Sequence, residues 1–439
     1  MNKGILGLCA TLVLALASWG PAAATGIEQS VIKIGVILPL SGPHAKFGEI
    51  ERNSFLLGLE EINAAGGVNG KSIQLIFEDD GSRFDRGRLA AEKLITRDQV
   101  VALTGGYSSP VAFAVASLAQ KRRIPFLVTT GSADEITEQG WEYVFRLSQP
   151  VSEYARALID FLQEVVKPKR VAVIYEDSLF GQAGSKEFID EVIEIGWKIA
   201  LNASYAPGAT DFRTLLSRAK AAQADVVYMV SYVNEAARLL RQAREIDFNP
   251  KIFSGAAAGF TLSEFSRLAA EAAENVVSAS LWTPHVQYPG AREYAEKYRK
   301  KFGHETDYHG AEAYASVQVM ADALKRAKAI TPPTIREALV KTNLMTVFGP
   351  VKFTSYGNKR QQNSLPTYVV QWQKGTLETI WPAVVSTKPY IYPLPPWRSK
   401  GRGPAMKVKD LMLPLSGGRP ICPRGCLAAP NRTVREFSG

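Results

Sequence analysis

Val31-Ile32-Lys33-Ile34-Gly35-Val36-Ile37-Leu38 is an apolar run rich in β-branched residues, with one lysine and no alternation of polar and apolar positions. A strand of that composition is buried on both faces, as strands of a parallel sheet are. The segments after it repeat one grammar. Phe55, Leu59 and Ile62 recur at helical spacing, and Gly66-Gly67 follows where a helix wants a left-handed end. Residues 73–77 read as a strand, 85–96 as a helix, 100–104 as a strand, 110–120 as a helix and 124–128 as a strand. Such alternation makes a sheet covered by helices on both faces.

The pattern starts again after Pro150. Tyr154, Leu158, Phe161, Leu162 and Val165 mark a helix, followed by a strand at 170–175, a helix at 183–195 and a strand at 197–201. The helix expected over 211–222 turns Phe212, Leu215, Leu216 and Ala219 inward, with Thr210 or Asp211 as its N-cap. A strand at 226–230, a helix at 234–246 and a strand at 276–281 come next. Two doubly wound units in tandem imply two lobes, each with its ligand-facing edge at the carboxyl ends of its strands. Helices at 290–302, 310–328 and 333–341, the last opened by Pro332-Pro333, and strands at 350–353, 367–372 and 379–380 are too few for a third domain. They read as additions to the two lobes. The chain then crosses between lobes more than once, and a hinged cleft between them is the default ligand site.

The chain has 439 residues, with 52 Lys+Arg against 42 Asp+Glu, 46% hydrophobic residues and three cysteines. That length suggests two or three domains, and the composition excludes a disordered or collagen-like protein. The formal charge of +10 is uneven. Nine basic and two acidic residues fall in 396–439 and one lysine in 1–25, which leaves a net +2 for the 370 residues between. A body so nearly neutral gives no reason to expect a nucleic-acid partner. Cys9, Cys422 and Cys426 all lie outside it. Lys3, the apolar stretch over 5–17 and Gly20-Pro21-Ala22-Ala23-Ala24 read as a secretory signal peptide within 1–25, cut near Ala24 and too short to anchor in a membrane. Residues 396–439 are basic, Pro/Gly-rich and aperiodic, and read as a disordered extension. Cys422-Pro423-Arg424-Gly425-Cys426 is one residue too long for a redox CxxC motif, and no second pair supports zinc.

Motifs for catalysis fail on spacing or context. Ala65-Gly66-Gly67-Val68-Asn69-Gly70-Lys71-Ser72 approaches a phosphate loop, but it leaves a helix and enters a strand, the reverse of what that loop requires. His304-Glu305 and His309 are one residue too far apart for a zinc-binding HExxH helix. Neither a GxSxG elbow nor a GxGxxG turn occurs at the strand–helix junctions, so no metal, cofactor or enzymatic activity is expected. Two loops do stand out. Gly105-Gly106-Tyr107-Ser108-Ser109 and Thr129-Thr130-Gly131-Ser132 each follow a strand and present amides and hydroxyls. That suits a carboxylate, although helix capping by Ser109 and Ser132 would also explain them.

Ile34-Gly35-Val36, Pro39-Leu40-Ser41-Gly42-Pro43, Gly48 and Glu61-Ile62-Asn63-Ala64-Ala65-Gly66-Gly67-Val68-Asn69-Gly70 together resemble the leucine/isoleucine/valine-binding proteins, the type I periplasmic solute-binding subunits of ABC importers. Tyr175-Glu176-Asp177 with Phe180-Gly181, Thr210-Asp211-Phe212 with Leu215-Leu216, and Leu240-Arg241-Gln242-Ala243-Arg244 extend the likeness, which runs from about Val31 to Trp372. It implies a type I periplasmic binding fold, an α/β protein of two Rossmann-like lobes joined by a three-segment hinge. The first lobe would comprise 26–149 and 281–352, the second 150–280 and 353–395. It also implies that Ser109, the Thr130 backbone and Ser132 hold a ligand carboxylate, beside Tyr107, with Phe47, Phe180 and Tyr232 as an aromatic wall.

One departure bears on the ligand. Amino-acid binders of this family carry an acid opposite the ligand ammonium, in the loop after the strand at 251–254. Here that loop is Gly255-Ala256-Ala257-Ala258-Gly259, and the acid's place falls on Ala257, with Glu235 and Glu264 as the alternatives within reach. A buried ammonium without a counter-charge costs several kcal/mol, so an aromatic or aliphatic acid lacking an amine is expected. Ser82 and Ser108 stand where better-known members carry a disulfide. The resemblance implies a periplasmic monomer without cofactor, docking on an inner-membrane ABC permease. An amide- or amino-acid-sensing regulator on the same fold, and more remotely an α/β enzyme, are the rival expectations.

Overall fold

The computed structural model describes residues 31–397. The segment read as a signal peptide, most of the 396–439 tail and all three cysteines lie outside those residues.

The first sheet is built by β1 (Ile32–Leu38), β2 (Ile73–Asp79), β3 (Ala102–Gly105), β4 (Phe126–Val128) and β5 (Val144–Arg146). Its helices are α1 (Ala45–Ala64), α2 (Phe84–Thr96), α3 (Ser109–Arg122) and the short α4 (Glu135–Glu138). After α5 (Arg156–Phe161), the second sheet takes β6 (Arg170–Glu176), α6 (Leu179–Ile195), β7 (Lys198–Tyr205), α7 (Arg213–Ala221) and β8 (Val226–Val230). It continues through α8 (Val233–Glu245), β9 (Ile252–Gly255), α9 (Ser263–Ala269) and β10 (Val277–Ser280). The chain then returns through α10 (Ala291–Phe302), α11 (Tyr308–Arg326) and α12 (Pro332–Val340). It closes with β11 (Asn343–Thr346), β12 (Gly349–Lys352), β13 (Thr354–Tyr356), β14 (Lys359–Gln362), β15 (Tyr368–Gln373) and β16 (Thr376–Trp381).

The sheets have the orders β13-β14-β5-β4-β3-β1-β2 and β16-β15-β10-β9-β8-β6-β7, and β11–β12 form a separate hairpin. Each has a parallel centre and antiparallel pairing confined to one edge. This is the two-lobed type I periplasmic binding architecture. Its strands read as continuous apolar runs because both faces are covered: every residue of β3, β4, β8, β9 and β10 is buried.

Three strand-to-strand crossings link the lobes, at 147–150, after Ser280, and between Gln362 and Tyr368. The third corrects the sequence reading, which gave 353–395 to the second lobe. Residues 354–362 pair in the first sheet instead, with Gln362 opposite Arg146. The reason is polar. Arg146 donates to Gln362 Oε1 (2.5 Å), Gln362 Nε2 to the Ser148 carbonyl (2.7 Å), and Asn363 Nδ2 to the Leu147 carbonyl (3.1 Å). A second correction concerns α7, whose N-cap is Phe212; Asp211 accepts from the Arg213 amide instead of capping. The helix expected from Tyr154 to Val165 is split, α5 passing into a π turn at Leu162–Val166.

The two lobes use the same device to bring a helix over the end of their first strand. A methyl group at Gly48 in α1 would lie 2.2 Å from the Pro39 carbonyl oxygen, and one at Gly181 in α6 would lie 1.8 Å from that of Glu176. Backbone cannot yield at those distances without moving the helix start. Gly48→Ala and Gly181→Ala should each cost about 1–3 kcal/mol in urea unfolding. A loss below a few tenths would show that these helix starts are not held by close approach.

Candidate functional site

The loops after β3, β4, β6, β8 and β9 meet between the lobes, as carboxyl-end loops of parallel sheets do. All eight residues singled out from the sequence are buried there: Phe47, Tyr107, Ser109, Thr130, Ser132, Phe180, Tyr232 and Ala257. The aromatic members form one contiguous cluster across the lobe boundary. Phe47 lies on Tyr107 with ring centroids 4.4 Å apart, Tyr107 is 5.9 Å from Tyr232, and Tyr232 is 5.2 Å from Phe180.

The hydroxyl loops are tied to each other. Ser109 Oγ accepts from the amides of Ser132 (3.3 Å) and Ala133 (3.0 Å), so it spans two loops instead of capping its own helix. Its own proton is left to donate. Thr130 donates to Glu51 Oε1 at 2.9 Å, which leaves the Thr130 backbone rather than its hydroxyl for an anion. The Tyr232 hydroxyl faces the Ser109 amide.

Ala257 sits at φ +55° and ψ −108°, a conformation rarely taken outside glycine. Its loop is pressed onto the Tyr232 loop, where Gly259 donates to the Ser231 carbonyl. None of 255–259 carries a charge. Of the alternatives, Glu264 is paired with Arg267. Glu235 is half-buried on α8, and burial pushes its carboxyl up.

Several residues the sequence did not flag complete the site. His44 contacts Tyr232 across the lobe boundary, at 4.4 Å between centroids. Burial holds its pKa down to about 4, so the ring is neutral. His309 packs against Phe47 and donates or accepts through Nδ1 with Asp307 at 2.6 Å. Among the described residues His44 Nδ1, His309 Nε2, Tyr107 Oη and Glu51 Oε2 are buried without a hydrogen-bond partner. No cluster suited to a metal occurs among the described residues. The useful signal was position: His44 lies in the loop leaving β1, and Tyr308-His309 opens α11.

Glu176, the last residue of β6, is only 4% exposed. Burial, and to a lesser degree the charge of Glu235, push its carboxyl up to about 7, against the opposing effect of the Ser178 hydroxyl. It lines a cavity of about 440 Å³ between the lobes, with His44, Ser108, Phe84, Ser178 and Tyr232. A larger groove of about 1080 Å³ runs beside the second crossing past Trp282 and Asp307. It holds none of the eight residues.

The lobes are closed on each other by few polar bonds. Thr261 of the second lobe donates to Asp307 of the first at 3.2 Å. Ser152 donates to Asp134 through its hydroxyl (2.5 Å) and its amide (3.2 Å). Thr261→Val removes one of the bonds that join the two lobes. It should weaken ligand binding about 5- to 30-fold by calorimetry, the worth of about 1–2 kcal/mol, with unfolding little changed. Glu176→Gln should act through pH. Folding raises the Glu176 pKa above its ordinary 4.5 to about 7, so the cost of ionising it is absent at low pH, grows through that interval and is complete above it. The variant should therefore gain roughly 2 kcal/mol on the parent between pH 5 and pH 8 in urea unfolding. An equal difference at both pH values would exclude a buried, proton-binding Glu176.

Residues 31–376 match the family model of the periplasmic binding proteins. A curated relative, Leu/Ile/Val-binding protein homolog 7 of Brucella melitensis, is 30% identical over 87% of this chain and 97% of its own. Among solved structures, the branched-chain amino acid transporter substrate-binding protein LivJ of Streptococcus pneumoniae, in complex with isoleucine, aligns at 26% identity and TM-score 0.73, covering 80% of this chain and all of that one. A solute-binding protein of an ABC transporter from R. palustris, in complex with benzoate, shares the fold at 18% identity and TM-score 0.71, covering 80% of this chain and 95% of that one. By the family match over 31–376, the two-lobed fold and these relatives, the chain belongs to the periplasmic binding protein family, as a substrate-binding protein of the branched-chain amino acid type of ABC transporter.

Proposed function

We propose that this protein binds a small carboxylate-bearing solute without an α-ammonium, an aromatic or aliphatic acid, and delivers it to an inner-membrane ABC permease. The uncharged loop at Ala257 carries this reading. The groups suited to a carboxylate, the Ser109 hydroxyl, the Thr130 backbone and the Ser132 hydroxyl and amide, lie in the first lobe. Opposite them an α-amino acid would bring its ammonium against alanine, glycine and aromatic rings. Burying that charge unpaired costs several kcal/mol, whereas an aromatic or alkyl group gains from the same wall. One solved relative holds isoleucine and another protein of the same fold holds benzoate, so the fold accommodates both chemistries, and the uncharged loop supports the acid.

Opening must part Tyr232 of the second lobe from Tyr107 and His44 of the first, whose rings meet across the boundary. Ligand contacts made by both lobes shift that equilibrium toward the closed form. The reading places a monomer in the periplasm after signal-peptide removal, with no cofactor and no chemistry on the ligand.

A thermal-shift and calorimetry panel on the full chain tests this. Benzoate-type or short aliphatic acids should raise the Tm, and leucine, isoleucine and valine should not. Micromolar binding of those amino acids with none of the acids would reverse the assignment.

A further inference from the structure

The rings that meet between the lobes are too close together to hold a solute among them. Tyr107 of the first lobe and Tyr232 of the second have centroids 5.9 Å apart. A ring or alkyl chain held between two aromatic faces needs them about 7–8 Å apart, twice a van der Waals contact. His44 lies against both, 4.4 Å from Tyr232 and 5.5 Å from Tyr107. These rings adjoin the carboxylate loops, since Tyr107 and Ser109 share one loop and the Tyr232 hydroxyl faces the Ser109 amide. The body of an acid bound at Ser109 and Ser132 therefore meets them.

Two of the three rings are fixed. Tyr107 is stacked on Phe47 at 4.4 Å and flanked by His309. Tyr232 packs on Phe180, and its backbone is covered by Gly259, where a methyl group would lie 2.5 Å from the Tyr232 carbonyl carbon. His44 is held by less. Its Nδ1 is buried without a hydrogen-bond partner, its side chain makes no cap at the start of α1, and its amide donates to Ser82 Oγ at 3.2 Å. Beside it lies the cavity of about 440 Å³, walled also by Arg83, Asp85 and Glu176 and ample for an imidazole.

Resting on the function proposed above, we infer that His44 is a displaceable plug: it occupies the place of the solute's body between Tyr107 and Tyr232, swings into the neighbouring cavity when a solute binds, and so sets how large a solute the cleft accepts.

The move also changes the surroundings of a titratable ring. Between the tyrosines, burial holds the His44 pKa down to about 4. Once displaced beside Asp85 the ring regains at least its ordinary 6.5. Solute binding then takes up a proton below that value, and affinity rises as the pH falls. The other groups facing His44 behave differently. Burial pushes the Tyr107 and Tyr232 hydroxyls well up, so both stay neutral, and Arg83 and Asp85 hold each other charged. Glu176, pushed up to about 7, titrates in the same interval, so His44 is isolated by comparison with variants that lack the imidazole.

Calorimetry on the full chain, with benzoate and the bulkier 2-naphthoate as probes, tests this. At pH 7.5 the His44→Ala variant should bind benzoate about fivefold or more tightly than the parent, and 2-naphthoate by a larger factor. From pH 7.5 to pH 5.5 the parent's affinity for benzoate should rise about tenfold relative to that variant's. His44→Gln, which fills the place without titrating, should keep the parent's preference for the smaller probe and lose the pH rise. Unchanged or weaker benzoate binding by His44→Ala, an equal factor for both probes, or the same pH dependence in parent and variants overturns the plug and leaves the carboxylate reading intact. Binding of neither probe by any of the three proteins overturns both.

Discussion

Arg146 is wholly buried at the end of β5, and much of the cleft depends on the three groups it satisfies. Its guanidinium donates to Gln362 Oε1 on β14, to the Ala133 carbonyl in the loop after β4, and to Thr137 Oγ1 on α4. Burial lowers its pKa, while the charge of Asp134 acts in the opposite sense. One side chain thereby fixes where the first crossing leaves its sheet, where the third begins, and how the Ser132 loop is presented. Buried charges persist in proteins only when so completely engaged.

The first lobe also holds acids that look out of place behind an anion site. Glu51 on α1 and Glu312 on α11 are fully buried, and burial pushes both carboxyls well up. Thr130 donates to Glu51, and the Ser148 and Thr130 hydroxyls lie beside Glu312. Kept protonated, such groups are neutral hydrogen-bonding partners and do not repel a carboxylate held by the same loop. The polar interior of the lobe is thus compatible with a negative ligand in a way its formal charges alone would not suggest.

The architecture was largely legible because buried parallel strands announce themselves as apolar runs, and most helices appear where their apolar spacing put them. What escaped the reading is polar or short. β14 is Lys359-Arg360-Gln361-Gln362, with no apolar pattern, and its pairing with β5, held by backbone and side-chain bonds, assigns it to the first lobe. β5 is three residues long, and the cap of α7 lay one residue beyond the expected pair. At the site, the two hydroxyl loops could be read because each follows a strand, while the aromatic wall of Phe47, Phe180 and Tyr232 came from the family resemblance. Glu176 and His44 could not, since their importance comes from burial against the opposite lobe, a relation of distant segments that spacing does not encode.

The three crossings described above also set the kind of motion available. A single connecting strand would let one lobe bend, twist and slide on the other. Three connecting segments, two of them pinned by Arg146, Gln362 and the Gln149 side chain donating to the Leu365 and Pro366 carbonyls, bend easily only about the line that passes through all of them. The lobes then behave as two covers of a book with a stiff spine. Little orientational freedom remains to be lost when they shut on a solute, so more of the contact energy is available for affinity and for choosing among solutes.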